Sequence, residues 1–117
     1  GYPLRSAYAA SKWAMMGLTK TWAMELGPEG IRVNVVCPTS VEGPRIDAVI
    51  AREAEQRGLS IDKVREVYLR QTSMRSFVSP DEVADTILFF ASDAARKISG
   101  QSISVDGHTE GLSNWLD

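Results

Sequence analysis

Apolar residues recur along this chain in two rhythms, and the places where the rhythm changes mark out its elements. From about Ser6 to Leu26 the chain is rich in Ala, Met, Leu and Lys and holds no internal proline. That stretch predicts one long helix, stopped by Gly27-Pro28. Ala10, Trp13, Met16, Leu18, Trp22 and Leu26 fall on nearly every side of it. A helix apolar almost all round is expected to be buried on several faces, one over a sheet and another against a partner subunit. Ile31-Arg32-Val33-Asn34-Val35-Val36-Cys37 is β-branched, bounded by Gly30 and Pro38, and predicts a strand. Pro44 to about Arg57 predicts a helix ended by Gly58, and Ser60 caps a second one running to about Arg70. Ser79-Pro80-Asp81-Glu82 is a complete helix start: Ser79 can cap, Pro80 suits the first turn, and Glu82 can reach back to the cap. That helix is expected to run to about Ser92 with Val83, Ile87, Leu88 and Ala91 on its apolar face. Ser102 to Val105 predicts a last strand, entered through Ser99-Gly100 and left through Asp106-Gly107.

Two short apolar strands separated by several helices imply parallel strands joined by a helical crossover, and so an α/β fold. A parallel sheet has both faces covered and several strands. The expectation is therefore part of a larger doubly wound domain, its further strands lying ahead of residue 1.

Composition narrows the classes of function. A chain of 117 residues predicts one domain. With 44% hydrophobic and 24% charged residues it has ordinary globular composition rather than that of a disordered segment. The net charge is −2 with the signs interspersed, so neither nucleic acid nor an anionic membrane surface is expected as a partner. No run approaches the roughly 18 consecutive apolar residues of a membrane span. Gly1-Tyr2-Pro3-Leu4-Arg5-Ser6 has no signal-peptide pattern, and the absence of an initiator Met implies a piece of a longer chain. One cysteine, Cys37, cannot pair internally and fits a reducing cytoplasm. With one histidine, His108, it makes a protein-built metal site unexpected.

The candidate chemistry lies in Tyr8-Ala9-Ala10-Ser11-Lys12. Residues four apart share a helix face, so the phenol and the ammonium can share a site. A free tyrosine titrates near ~10 and a neighbouring cation stabilises phenolate, which draws such a group toward acid–base work near neutrality. A tyrosine and a lysine at this spacing are also compatible with a plain solvated helix.

The surrounding residues carry more weight. Tyr8-Ala-Ala-Ser-Lys12 is followed by Gly17-Leu18-Thr19, Glu25-Leu26 and Gly30-Ile31-Arg32-Val33-Asn34 before Pro38. Pro80-Asp81-Glu82-Val83-Ala84, Phe90-Ala91-Ser92-Asp93, Ser99-Gly100-Gln101 and Val105-Asp106-Gly107 come next, in the same order and spacing as in a known family. In these runs, from about Gly1 to His108, the chain resembles the C-terminal half of a classical short-chain dehydrogenase/reductase (SDR).

The resemblance implies the last two strands and flanking helices of a Rossmann-type parallel sheet binding NAD or NADP. Tyr8 would be the acid–base between an alcohol and a ketone or aldehyde, and Lys12 would bind the nicotinamide ribose and lower the pKa of Tyr8. Residues 6–26 would be the catalytic helix, 41–77 the substrate-lid region, 79–106 the final helix and strand, and 107–117 a tail. The loop Pro38, Thr39, Ser40 and Val41 would pass the nicotinamide, with the Val41 amide on its carboxamide. Arg45, at the start of the lid, is a candidate for a substrate carboxylate or phosphate. The first helix and the region from Gly100 to Asp117 resemble contact surfaces of a homotetramer.

Departures from the family pattern fall at Thr39 and His108, where glycine is usual, and at Gly43, where threonine is usual. The family's catalytic serine, glycine-rich phosphate loop and NAD/NADP-selecting residue would lie ahead of residue 1. The 117-residue chain by itself is therefore expected to be inactive. The rival readings are a non-catalytic interaction module derived from the family, or an epimerase or dehydratase relative. Cys37, Trp13 and Trp22 read as core or interface, His108 as surface, and Arg52, Glu53, Glu55 and Arg57 as a solvated helix face.

Overall fold

A computed structural model describes residues 5–109. In chain order the elements are α1 (Ser6–Leu26), β1 (Val35–Pro38), α2 (Pro44–Arg57), α3 (Ile61–Arg70), α4 (Pro80–Ala91) and β2 (Ser102–Val105), with single 3-10 turns at Gly27–Glu29 and Asp93–Ala95. Two compact units share the chain, one from residues 5–37 with 84–103 and the other from 38–83 with 104–109. Most of the expected 107–117 tail, and the first residues of the chain, lie outside the described residues.

In the first unit α1 has the expected limits, and one stripe of it is sheltered within this chain. Thr19 is its buried residue, while Ala9, Met16, Ala23 and Leu26 are half-buried on the same stripe. That stripe meets the turn before β2: Lys20 Nζ donates to the Gly100 carbonyl at 3.4 Å, and a Cβ on Gly100 would lie 3.4 Å from the Ala23 Cβ. Trp13 and Trp22, read as core or interface, are exposed on this chain, and Met24 is 80% exposed.

The strand predicted from Ile31 begins only at Val35. Residues Val33 and Asn34 satisfy their polar groups on the Ile98–Gln101 turn instead, through Val33 N–H to Ser99 Oγ (3.1 Å) and Gly100 N–H to the Val33 carbonyl (2.7 Å). From there the Val35 N–H donates to Gln101 O and the Thr39 N–H to Val105 O, at 2.9 and 3.3 Å. Both partners advance together, so β1 and β2 run parallel in a two-stranded sheet. The α/β class stands, and Cys37 on β1 is half-buried.

The second unit is built on the α2–α3 hairpin. Gly58, left-handed at φ 64°, closes α2 by donating to Ala54 and Glu55 carbonyls, and Ser60 Oγ accepts the Lys63 N–H at 3.2 Å to open α3. Ile50, Ala54, Val64 and Phe77 form the core, flanked by Ile46, Tyr68 and Leu69. Glu53 departs from the expected solvated face, while Arg57 stays exposed on it. Glu53 is half-buried and accepts hydrogen bonds from Tyr68 Oη (2.8 Å) and Arg57 (2.9 Å). Arg65 pairs with Asp47 while its guanidinium lies 5.4 Å over the Phe77 ring.

α4 begins with the predicted reciprocal cap. Ser79 N–H donates to Glu82 Oε2 (2.7 Å) and Glu82 N–H to Ser79 Oγ (3.2 Å). Its sheltered stripe within this chain is Val83, Thr86 and Phe90, while Ile87 and Leu88 of the expected apolar face are exposed, Leu88 at 66%. The two stripes are adjacent on the helix, and the apolar pattern alone marked their sum rather than the side that is covered.

Replacing Ile50, fully buried in the hairpin core, by Ala is expected to cost about 2–5 kcal/mol. Urea unfolding followed by circular dichroism measures this, and a cost below about 1 kcal/mol would mean the hairpin core does not carry stability.

Candidate active site

The first two turns of α1 bring Tyr8 and Lys12 together. Arg5 precedes the helix without a side-chain cap, and the Ala9 N–H already donates to the Arg5 carbonyl at 2.9 Å, so Tyr8 stands in regular helix. Ser11 Oγ folds back onto the Tyr8 carbonyl at 2.7 Å, leaving the Tyr8–Lys12 face to those two side chains. Tyr8 is 48% exposed, and the Lys12 ammonium lies 5.6 Å from its ring centroid. This is a cation over the face of a phenol ring, the contact that spacing of four in a helix allows. Lys12 makes no ion pair among the described residues. The pair offers an O–H that can give or take a proton beside a three-donor cation.

In the second unit the stretch after β1 forms a neck. Val41 pairs in parallel with Val78: the Val78 N–H donates to the Ser40 carbonyl (3.1 Å) and the Glu42 N–H to the Val78 carbonyl (2.8 Å). Successive amides of an extended chain point to opposite sides. The Val41 N–H therefore faces away from Val78, and it has no hydrogen-bond partner among the described residues. Thr39 and Ser40 are half-buried in this neck, Pro38 is exposed at the end of β1, and Arg45 is exposed in the first turn of α2. Arg45 makes no hydrogen bond or ion pair among the described residues, and it stands on the helix rather than in the neck. Among the described residues no group of three or more His, Cys, Asp or Glu is placed to hold a metal ion. No described helix is long and apolar enough to cross a membrane.

A family model described as enoyl-(acyl carrier protein) reductase matches residues 1–109. A short-chain dehydrogenase family protein from Francisella tularensis subsp. tularensis SCHU S4 superimposes with a TM-score of 0.86 at 31% identity, over 92% of this chain and 44% of that one. The chain belongs to the short-chain dehydrogenase/reductase family. The D-beta-hydroxybutyrate dehydrogenase of Rhizobium meliloti (strain 1021) is 39% identical over 106 residues, which are 90% of this chain and 41% of that protein. A 4-hydroxyisoleucine dehydrogenase complexed with NADH superimposes with a TM-score of 0.68 at 30% identity, over 97% of this chain and 40% of the other. This SDR chain thus spans about two-fifths of the length of the relatives it matches.

Side chains without an assigned role in the sequence reading hold the parts of this SDR chain in register. Asn34 Nδ2 donates to the Ile98 carbonyl (2.9 Å) and Asn34 Oδ1 accepts the Gln101 N–H (3.1 Å), so one amide closes the turn that leads into β2. Its place in the Ile31–Asn34 run was visible in the sequence, but a partner more than sixty residues away was not. Ser73 and His108 likewise meet from distant parts of the chain. Replacing Asn34 by Ala removes the partner of the exposed Gln101 N–H and leaves the Ile98 carbonyl only the longer bond from Arg32, a loss of about 0.5–1.5 kcal/mol. Thermal denaturation checks this; an unchanged midpoint would show that the turn holds without the amide.

Proposed function

We propose that this chain carries the acid–base pair of an NAD(P)-dependent oxidoreductase interconverting an alcohol and a ketone or aldehyde. The observation that carries the reading is the Tyr8–Lys12 contact at the start of α1, in a chain of the SDR family. When carbonyl is reduced, the Tyr8 O–H gives its proton to the carbonyl oxygen; in oxidation the phenolate takes the alcohol proton. A bound nicotinamide supplies or accepts the hydride. Lys12 donates to the nicotinamide ribose and keeps a positive charge beside the phenolate.

The neck suits such a ligand, because the outward Val41 N–H is a donor that the Val41–Val78 pairing leaves unused. Val41 would hold the carboxamide, with Pro38, Thr39 and Ser40 lining the ring. NADH in one of the similar structures supports this assignment, and NAD and NADP both remain compatible with the residues here. Arg45, with no ion pair among the described residues, would meet an anionic group on a small substrate. The proposed setting is a cytoplasmic homotetramer, for which light scattering of the full-length protein would have to return four subunits.

In full-length protein, Tyr8→Phe is expected to lower turnover by about 10²–10⁴-fold with NADH or NADPH affinity unchanged, read by nucleotide fluorescence. Lys12→Met should weaken both. Retained turnover in Tyr8→Phe would remove Tyr8 from the acid–base role. Purified residues 1–117 are expected to leave NADH fluorescence unchanged, because the family's phosphate loop precedes the tyrosine; an enhancement would contradict this. A second reading is a non-catalytic interaction module derived from the family. That reading would hold if the full-length protein bound neither dinucleotide.

A further inference from the structure

The far end of the α2–α3 segment is tied to the turn that follows β2, within the second unit. Ser73 N–H donates to the His108 carbonyl (3.0 Å) and Met74 N–H to the Gly107 carbonyl (3.1 Å). Between the same two stretches, Ser73 Oγ and His108 Nδ1 share a hydrogen bond of 2.6 Å. Asp106 stiffens the turn from its other side, accepting from the His108 N–H (2.9 Å) and the Thr109 N–H (3.3 Å). The fit is close: a Cβ on Gly107 would lie 3.3 Å from the Met74 Cβ.

The backbone of this contact is strained on both sides. His108 has φ 64° and Arg75 φ 54°, left-handed values uncommon for residues with a side chain, which histidine and asparagine enter more readily than arginine. These are the two non-glycine residues of positive φ among the described residues, and they flank the same contact. Each carries a compensating side-chain bond, His108 to Ser73 and Arg75 Nη1 to the Arg70 carbonyl (2.8 Å). Strained conformations persist where their surroundings over-determine them, and they cluster at active sites, ligand clamps and switch regions.

The neck at Val41–Val78 closes the 42–77 excursion at its base. The Ser73–His108 contact is its second fixed point. With both made, the hairpin is held twice; with the second one open, it hangs from the neck alone.

We propose that His108 and Ser73 form a clasp that fixes the trailing end of the 41–77 segment, making His108 a positioning residue for the substrate lid. The proposal rests on reading 41–77 as the lid of an NAD(P)-dependent enzyme. The His108 imidazole bonds Ser73 through Nδ1 from a left-handed backbone.

Hydrogen–deuterium exchange on the full-length protein, with and without NADH, tests this in wild type and in Ser73→Ala, His108→Gly and His108→Asn. His108→Gly relieves the backbone strain while deleting the ring, so a loosening in that variant is not misfolding. Amides 71–76 should exchange about three- to tenfold faster in Ser73→Ala and in His108→Gly, the range set by one neutral hydrogen bond. The double variant should be no looser than the singles. His108→Asn, which tolerates the left-handed backbone and places a polar atom near the Nδ1 position, should restore wild-type exchange. NADH-dependent protection of 41–77 should weaken in the two loosened variants. Unchanged exchange, additive effects, a loosening that spreads equally through α4, or equal NADH protection in all variants would overturn the clasp. No NADH effect on 41–77 in wild type would instead sink the lid reading, and the positioning role with it.

Discussion

Parallel pairing of β1 with β2 is the constraint on which the rest of this chain depends. Parallel neighbours cannot be joined by a tight turn, so the chain must leave the end of one strand and return to the start of the other. The whole of α2, α3 and α4 lies in that crossover. The pairing begins where the Asn34 amide bridges Ile98 and Gln101, and ends where the Thr39 N–H meets Val105. Two residues further along, the chain enters the neck at Val41. The direction of the unused Val41 amide therefore follows from backbone hydrogen bonding and not from any side chain.

The Tyr8–Lys12 contact has the opposite character. It is made inside one helix, by residues one turn apart, and needs nothing from the sheet. The strength of α1 as a helix comes from its Ala-, Met- and Lys-rich sequence, since no side chain caps its start and only one stripe of it is sheltered. The same feature leaves Trp13, Trp22 and Met24 exposed. Large aromatic and thioether side chains bury most of their free energy only when both sides of a helix are covered.

The α2–α3 hairpin is the best-packed part of the chain, and its polar groups are arranged to match. Glu53 serves Tyr68 and Arg57 together, and Arg65 serves Asp47 while covering the Phe77 ring. Exposed ion pairs contribute little by themselves. Here the charged side chains lie over the apolar core of the hairpin, and their aliphatic stems add cover to it.

What the sequence by itself determined is whatever is local. The limits of α1 and of the α2–α3 pair, the left-handed Gly58 and the Ser79–Glu82 cap depend on residues within a few positions of one another, and each was legible. So was the placing of Tyr8 and Lys12 on one helix face, and so were the motif runs that carried the family. Only the tertiary structure decided what depends on distant partners. Ile31–Asn34 have strand composition, yet the Ile31 N–H goes to the Leu26 carbonyl and Arg32, Val33 and Asn34 bond the Ile98–Gln101 turn, so the strand begins at Val35. Leu88 and Phe90 are both apolar, and only the side that is covered separates them. Ser73 and His108 carry no mutual signal in the chain, because a hydrogen bond between remote segments depends on how the backbone brings them together.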